Sequence, residues 1–152
     1  MMSRPSRHLT TLALAGVLAV IPMAGCSSSG DVSVTGGTTA PSAPAVGSHL
    51  DPAAFAAALK RPGTVLLDVR TPAEFAQGHL EGATNIDIES AGFVAQIAQI
   101  DKTKTYAVYC HSGNRSGAAL QQMAQMGFAT AFDLQGGISA WESAGGKVST
   151  GS

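Results

Sequence analysis

Residues 105–116 read Thr-Tyr-Ala-Val-Tyr-Cys-His-Ser-Gly-Asn-Arg-Ser and are the most informative segment for the fold. Its first five residues are mostly apolar without polar alternation, which is typical of a strand buried on both faces of a sheet. Polar residues and a glycine follow, and then small and apolar residues predict a helix from Ser116 to Met126, with Gly127 as its C-terminal cap. The pattern places Cys110 at the carboxyl end of a buried strand, where open α/β sheets bind their ligands.

Strands and helices alternate on both sides of this segment. Residues 64–68 and 130–134 predict further strands, and residues 83–86 predict a short one. Helices are predicted over residues 52–59 behind an Asp51 cap, after a Thr71–Glu74 capping box, after Ser90 as a cap, and over residues 138–143. This alternation predicts an α/β domain with a small, mainly parallel sheet.

The N-terminal residues have the order of an export signal. Arg4 and Arg7 precede an apolar stretch from Leu9 to Met23, which is shorter than the roughly 20 residues of a membrane span. The stretch ends in Met23-Ala24-Gly25-Cys26, which resembles the bacterial lipobox. We therefore expect residues 1–25 to be a signal peptide and Cys26 to carry the lipid that anchors the protein on the extracytoplasmic side of the cell membrane. The alternative is cleavage nearby, with Cys26 left as a free thiol.

Composition divides the remaining chain. Residues 26–48, rich in Ser, Gly, Thr and Pro, predict a flexible linker after the lipidated cysteine, with an edge strand at residues 32–34 as the alternative. Residues 49–147 form the predicted domain, and residues 148–152 a disordered tail.

Charge and cysteine count exclude several classes of function. The net charge is −1, with no basic run to neutralise phosphates, so we expect no nucleic-acid partner. No cluster of metal-ligand residues and no Gly-rich dinucleotide fingerprint occurs, so no metal or cofactor is predicted. Two cysteines are present, and lipidation of Cys26 would leave Cys110 without a partner for a disulfide. The sequence makes no prediction about partner proteins.

The residues after Cys110 favour nucleophilic chemistry. Backbone N–H groups and the positive end of a helix dipole stabilise a thiolate at this place. Arg115 adds a permanent cation, and Gly113 permits a tight backbone turn. The expected result is a small anion-binding bowl with a nucleophilic sulfur at its floor. The alternative is that Cys110 is only a small buried hydrophobic residue.

Four motifs in register resemble the rhodanese family. The first is the cysteine loop itself, in which four residues separate Cys110 from Arg115 and a serine follows. Residues 66–75 resemble the DVR…EF segment of the family, residues 78–86 its GHIxGAxNI segment, and residues 134–141 its C-terminal GG…W segment. The resemblance covers roughly residues 50–147.

The resemblance implies a rhodanese-like α/β fold whose small sheet is flanked by helices on both faces. It also implies a sulfurtransferase in which Cys110 is catalytic and carries sulfur from a small anionic donor, such as thiosulfate or a persulfide, to a thiol or cyanide. The implied donor-binding residues are His111, Ser112, Gly113, Asn114, Arg115 and Ser116. Asp68 and Arg70 are implied to support the loop through an ion-pair network, and direct catalysis by Asp68 is disfavoured because a carboxylate opposes thiolate formation. His111 is open between a solvent-facing role and donor binding.

Two other functions stay open at this point. Phosphatases of related architecture have five residues between Cys and Arg, and this chain has four, which favours a sulfur-sized site over a phosphate-sized one. The second alternative is a non-catalytic rhodanese-fold binding module at the cell envelope, with Cys110 unused.

Overall fold

Five strands and five helices alternate along residues 43–151, the part of the chain that this computed structural model describes. In chain order they are β1 (Ser48–Leu50), α1 (Pro52–Leu59), β2 (Thr64–Asp68), α2 (Pro72–Gln77), β3 (Thr84–Asn85), α3 (Phe93–Gln99), β4 (Thr105–Tyr109), α4 (Asn114–Gln125), β5 (Thr130–Leu134) and α5 (Gly137–Ser143). The predicted signal peptide, Cys26, the alternative strand at residues 32–34 and the linker as far as residue 42 lie outside the described residues.

The strands form one sheet in the order β1-β5-β4-β2-β3, and every neighbouring pair is parallel. β4 lies at the centre, where Val108 stands beside Leu67 of β2 and Asp133 of β5. The three apolar runs thus occupy the centre of the sheet, as their lack of alternation predicts. The predicted α/β class with a mainly parallel sheet is confirmed.

Helices cover both faces of the sheet and enclose two hydrophobic cores. One core contains buried side chains of α3 and α4, and the other contains those of α1 and α5. Successive residues of β4 alternate between them, with Val108 in the α3–α4 core and Tyr109 in the α1–α5 core. Cys110 continues this alternation and borders the α3–α4 core. Both cores therefore end next to the cysteine loop and hold the strand that carries it.

Local capping signals are confirmed where they were strongest. The Asp51 side chain accepts a hydrogen bond of 2.8 Å from the Ala54 backbone N–H at the start of α1. Thr71 and Glu74 form the predicted capping box of α2. Gly127 follows α4 with φ of 80°, the left-handed conformation expected of a C-terminal glycine cap. These helix ends depend on neighbours only three or four residues away, which is why the sequence predicts them.

Besides shifts of one residue in the bounds of β3, α4 and α5, three features differ from prediction. α4 begins at Asn114, two residues before the predicted start, because Gly113 with φ of 97° makes the turn into the helix without a side-chain cap. Ser90 does not cap α3, which begins at Phe93; the Ser90 hydroxyl instead accepts a 3.2 Å hydrogen bond from the Gly92 N–H in the preceding turn. β1 is absent from the prediction, which assigned Ser48 to the linker.

The tail of residues 148–152, predicted to be disordered, is paired with the domain at Ser149. Ser149 and His79 exchange two backbone hydrogen bonds of 2.7 and 2.8 Å in an antiparallel bridge. The Trp141 indole N–H also donates to the Lys147 carbonyl at 3.0 Å. These bonds order residues 147–149 against the segment that follows α2, a tertiary pairing that small polar residues do not signal.

Between residues 43 and 151, none of the helices has both the length and the apolar character needed to cross a membrane.

Candidate active site

Cys110 lies directly after β4 and is 1% exposed. Its Sγ accepts a hydrogen bond of 3.1 Å from the Gly113 backbone N–H. The N–H groups of Asn114, Arg115 and Ser116 begin α4 and have no acceptors within the helix. The predicted placement of the cysteine between a buried strand and a helix N-terminus is confirmed. An N–H donor and the helix dipole both favour negative charge on sulfur at this place.

The cysteine loop, which we define as residues 110–116, packs against the turn at Gly136 and Gly137. The Ile138 N–H donates to the Cys110 carbonyl at 2.9 Å, and the Ser139 N–H donates to the His111 carbonyl at 3.3 Å. A Cβ atom at Gly137 would overlap the carbonyl oxygens of both loop residues. Only glycine permits this approach, which gives the two-glycine motif a physical reason. The contact fixes the carbonyl side of the loop at the nucleophile.

Arg115 is held by two carboxylates. Its guanidinium donates to Glu74 at 2.6 and 2.8 Å and to Glu89 at 3.0 Å. Hydrogen bonds from Arg115 are the main reason that the pKa of Glu74 is lowered from 4.5 to about 2. The same bonds raise the pKa of the Arg115 guanidinium, to which the charge of nearby Cys110 adds a smaller contribution. Arg115 therefore joins the start of α4 to the start of α2, and its cation is already compensated.

Asp68 and Arg70 form the predicted ion pair, and it is buried. Arg70 Nη2 lies 2.6 Å from Asp68 Oδ2 and also donates to the Gly78 carbonyl at 2.6 Å. Burial lowers the pKa of Arg70, but the hydrogen bonds and charge of Asp68 outweigh it, so the pKa is raised overall. The guanidinium carbon lies 5.6 Å from the Tyr109 ring centre, and the Tyr109 hydroxyl accepts a 3.0 Å bond from the Leu80 N–H. The pair thus braces the residue before Cys110.

One exposed residue of the loop, His111, lines a cleft. His111, Ser112 and Asn114 are exposed, and His111 Nε2 lies 3.4 Å from the Ser139 hydroxyl. A cleft of about 260 Å³ beside the loop is lined by polar groups that include Glu74, His111 and Glu142. His111 thus faces this cleft, a position compatible with either of its predicted roles. The volume of the cleft admits a small molecule next to the loop.

The Ser116 side chain has a different position from the one that its motif suggests. The Ser116 side chain is fully buried, and its hydroxyl oxygen lies 2.7 Å from Asp133 Oδ2 and 3.0 Å from the Gly113 carbonyl oxygen. Its hydroxyl is therefore not available to a donor, and only its backbone N–H belongs to the rim of the loop. The His79 ring stacks on the Phe75 ring with the ring centres 3.8 Å apart, and its Nδ1 lies 3.0 Å from the Phe75 carbonyl oxygen, so His79 packs against α2.

Sequence reasoning missed Asp133 and Glu89. Asp133 is fully buried in β5 and lies 2.6 Å from His49 Nδ1. The signal was present, since a carboxylate inside an otherwise apolar strand requires a partner. Glu89 lies in a turn, and nothing in the sequence predicts that it faces Arg115. Within residues 43–151, no group of three or more His, Cys, Asp or Glu side chains is arranged to hold a metal ion.

Comparisons with known proteins agree with this geometry. The model of the rhodanese-like domain family matches residues 51–144. The thiosulfate sulfurtransferase GlpE of Pseudomonas entomophila is 34% identical over 88 residues, which is 58% of this chain and 79% of that protein. A sulfurtransferase of Allochromatium vinosum is 36% identical over 77 residues, which is 51% of this chain and 70% of that protein.

A solved structure shares the fold as well. The crystal structure of a rhodanese-related protein from Thermoplasma volcanium superposes with a TM-score of 0.60 at 31% identity and covers 67% of this chain and 97% of that chain. The family match, these relatives and the parallel sheet that presents Cys110 at its carboxyl edge lead to one conclusion: the chain belongs to the rhodanese-like domain family.

Proposed function

We propose that the protein is a sulfurtransferase that moves sulfane sulfur from thiosulfate or a persulfide to a thiol or cyanide through a persulfide on Cys110. The observation that carries the proposal is the 3.1 Å hydrogen bond from the Gly113 N–H to Cys110 Sγ, at the N-terminus of α4. A cysteine that served only as a small hydrophobic residue would need neither this donor nor the unpaired N–H groups beside it.

The first half-reaction loads the sulfur. Cys110 loses its proton to solvent, and the thiolate attacks the outer sulfur of thiosulfate. A bond forms between the two sulfur atoms, the bond between the outer sulfur and the sulfonate sulfur breaks, and sulfite leaves with the electron pair. The backbone N–H groups of residues 111–116 stabilise the anionic donor and then the terminal sulfur of the persulfide.

The second half-reaction unloads it. Cyanide or a thiolate attacks the outer sulfur of the persulfide, and the Cys110 thiolate leaves with the electron pair of the broken bond. One thiol suffices for both steps. Two half-reactions through one covalent intermediate predict ping-pong kinetics.

The electrostatics of Arg115 refine its role in this proposal. Because Glu74 and Glu89 both contact its guanidinium, the three side chains together carry a net negative charge. Anion binding by Arg115 alone is therefore weak, and the backbone N–H groups must supply most of it. Arg115 contributes mainly by holding the start of α4 in place, with Glu89, 59% exposed, as the partner that a donor displaces at least cost.

A non-catalytic binding module is the second candidate, and one observation favours it. Cys110 is only 1% exposed, so a donor must enter the cysteine loop deeply to reach the sulfur. In this alternative, the cleft beside His111 binds a partner and the thiol stays unused.

Steady-state turnover separates the two candidates. Thiosulfate and cyanide are supplied to the full chain, and thiocyanate is measured as the product. The two cysteines provide a matched pair of variants, Cys110→Ser and Cys26→Ser. We expect turnover with parallel double-reciprocal plots in the parent and in Cys26→Ser, and none in Cys110→Ser. Absence of turnover with every sulfane donor, in a folded protein, would favour the binding module. Hydrolysis of a chromogenic phosphate ester, or reduction of arsenate, at a comparable rate would instead favour a phosphatase or an arsenate reductase.

For location, we propose export and lipidation at Cys26, which the order of charge, apolar stretch and lipobox-like motif supports. Metabolic labelling with an alkyne fatty acid tests it in a bacterial host. We expect label in the parent protein and in Cys110→Ser, and none in Cys26→Ser. Equal labelling of Cys26→Ser, or a soluble, unlabelled parent protein, would contradict the proposal.

A further inference from the structure

A buried polar chain that shares no residue with the lining of the cleft connects the surface to the cysteine loop. Asp133 of β5 has no exposed surface, and a buried carboxylate destabilises a fold unless it is partnered. His49 Nδ1 lies 2.6 Å from its Oδ1, and Ser116 Oγ lies 2.7 Å from its Oδ2. Both oxygens of this carboxylate are thus occupied, one by a half-exposed imidazole and one by a loop residue.

Ser116 links this carboxylate to the backbone next to the nucleophile. Its hydroxyl also lies 3.0 Å from the Gly113 carbonyl, which accepts a further 3.0 Å bond from the Gly117 N–H. The hydroxyl has one hydrogen and two acceptors, and the charged, nearer Asp133 oxygen is the stronger of the two. The hydrogen therefore goes to Asp133, which fixes the Ser116 rotamer in the first turn of α4, and the Gly117 N–H of that turn holds the Gly113 carbonyl.

Gly113 transmits this constraint to the sulfur. Its N–H is the group that donates to Cys110 Sγ, and its φ of 97° is accessible to glycine at little cost. A residue with such freedom needs an external restraint on its carbonyl side to keep its N–H directed at one atom. The turn at Gly136 lies close on the other side, because a Cβ at Gly113 would be 3.3 Å from the Gly136 nitrogen.

We propose that Asp133, acting through Ser116 and paired with His49, is a positioning residue that aims the Gly113 N–H at Cys110 Sγ. The inference rests on the proposed sulfur transfer, because it assigns to Asp133 a part in stabilising the attacking thiolate and the persulfide. A carboxylate that touches neither donor nor acceptor thereby affects the rate of both half-reactions.

The test compares single-turnover persulfide formation from thiosulfate in variants of the full chain that also carry Cys26→Ser. Ser116→Ala removes the link and is expected to slow the reaction about tenfold, the effect of one lost hydrogen bond to a charged group. The matched control is Ser143→Ala, since the Ser143 hydroxyl also bonds to a backbone carbonyl of its own helix, at 2.8 Å, but touches no carboxylate. The control is expected to react at the parent rate.

Two substitutions at Asp133 supply the rescue arm. Asp133→Asn keeps an oxygen for Ser116 and is expected to stay within about threefold of the parent rate, whereas Asp133→Leu removes it and matches Ser116→Ala. If Asp133→Leu does not fold, the comparison of Ser116→Ala with Ser143→Ala decides. A rate for Ser116→Ala equal to that of Ser143→Ala, with only a lower melting temperature, would show a purely structural role and overturn the inference.

A second readout separates this inference from the proposed function. The alkylation rate of Cys110 by iodoacetamide needs no sulfur donor and reports stabilisation of the thiolate. We expect Ser116→Ala to change it by a similar factor and Ser143→Ala to leave it unchanged. Failure of the parent protein to accept sulfur would refute the proposed function alone, while equal alkylation rates in both variants would refute the positioning role alone.

Discussion

Replacement of Glu74 by Gln tests how firmly the cysteine loop is attached to the rest of the domain. Glu74 receives two hydrogen bonds from Arg115, at 2.6 and 2.8 Å, and its Oε2 also accepts a 3.1 Å bond from the Thr71 N–H. The neutral amide keeps the shape of the side chain but loses the charge. The amide also turns one acceptor oxygen into an NH2 donor, so the variant loses the charge together with part of the hydrogen bonding that Glu74 accepts.

The size of the stability change expected for Glu74→Gln follows from the pKa of Glu74. A decrease from 4.5 to about 2 corresponds to about 3 kcal/mol at 1.36 kcal/mol per pKa unit. The Arg115 and Glu74 side chains are 25% and 30% exposed, so solvent screens part of this energy. We expect Glu74→Gln to lower the free energy of unfolding by about 1–2 kcal/mol at pH 7.

The contribution of Glu74 to the free energy of unfolding depends on pH in a direction set by its pKa shift. Because the folded-state pKa of Glu74 is depressed, its contribution is fully present above about pH 5 and is lost as the pH falls towards 2. Urea unfolding of the parent and of Glu74→Gln should therefore differ at pH 7 and converge near pH 2. The subtraction removes the titration of the other carboxylates, which both proteins share.

Glu89→Gln is the matched control, because Glu89 contacts the same guanidinium once, at 3.0 Å, and is 59% exposed. We expect it to change the free energy of unfolding by less than about 0.5 kcal/mol. A difference between parent and Glu74→Gln that stayed constant from pH 7 to pH 2 would show that the stabilisation does not arise from ionisation of Glu74.

Three further substitutions test the framework of the site. Gly137→Ala should lower the melting temperature and the rate of thiocyanate formation, because its Cβ overlaps the Cys110 carbonyl oxygen. Gly127→Ala is the control and should lower both less, because its Cβ meets no atom within 4 Å. Tyr109→Phe should lower the free energy of unfolding by about 1–3 kcal/mol in urea titrations, because it leaves the buried Leu80 N–H without its acceptor; an unchanged midpoint would contradict this. Arg115→Lys should not restore the turnover lost in Arg115→Ala, because an ammonium cannot replace the paired bonds to Glu74; full recovery in the cyanide assay would count against that geometry.

The sequence predicts the parts of this fold that depend on local patterns. The central strands are apolar without alternation, and the capping groups of α1 and α2 lie within three residues of the N–H groups they bind. Cys110 and its loop follow from the same reasoning, because the end of a buried strand and the start of a helix are both local features. The resemblance to the rhodanese family further predicts that helices cover both faces of the sheet.

Long-range contacts set the limit of such prediction. β1 has three residues and exists only through pairing with β5, where His49 stands beside Asp133. The partners of Arg115 lie 41 and 26 residues away, so its loss of free charge is not visible in the loop motif. The Ser116 hydroxyl turns inward for the same reason, since only the folded sheet brings Asp133 beneath it.

Sulfur transfer by this protein requires that Cys110 accept a sulfur atom. Cys26→Ser protein is incubated with thiosulfate, digested under non-reducing conditions and analysed by mass spectrometry of the peptide that contains Cys110. We predict that this peptide gains the mass of one sulfur atom, that cyanide or a reducing agent removes it, and that Arg115→Ala gains it more slowly. A folded protein whose Cys110 peptide stays unmodified with thiosulfate and with small persulfides alike would contradict the account.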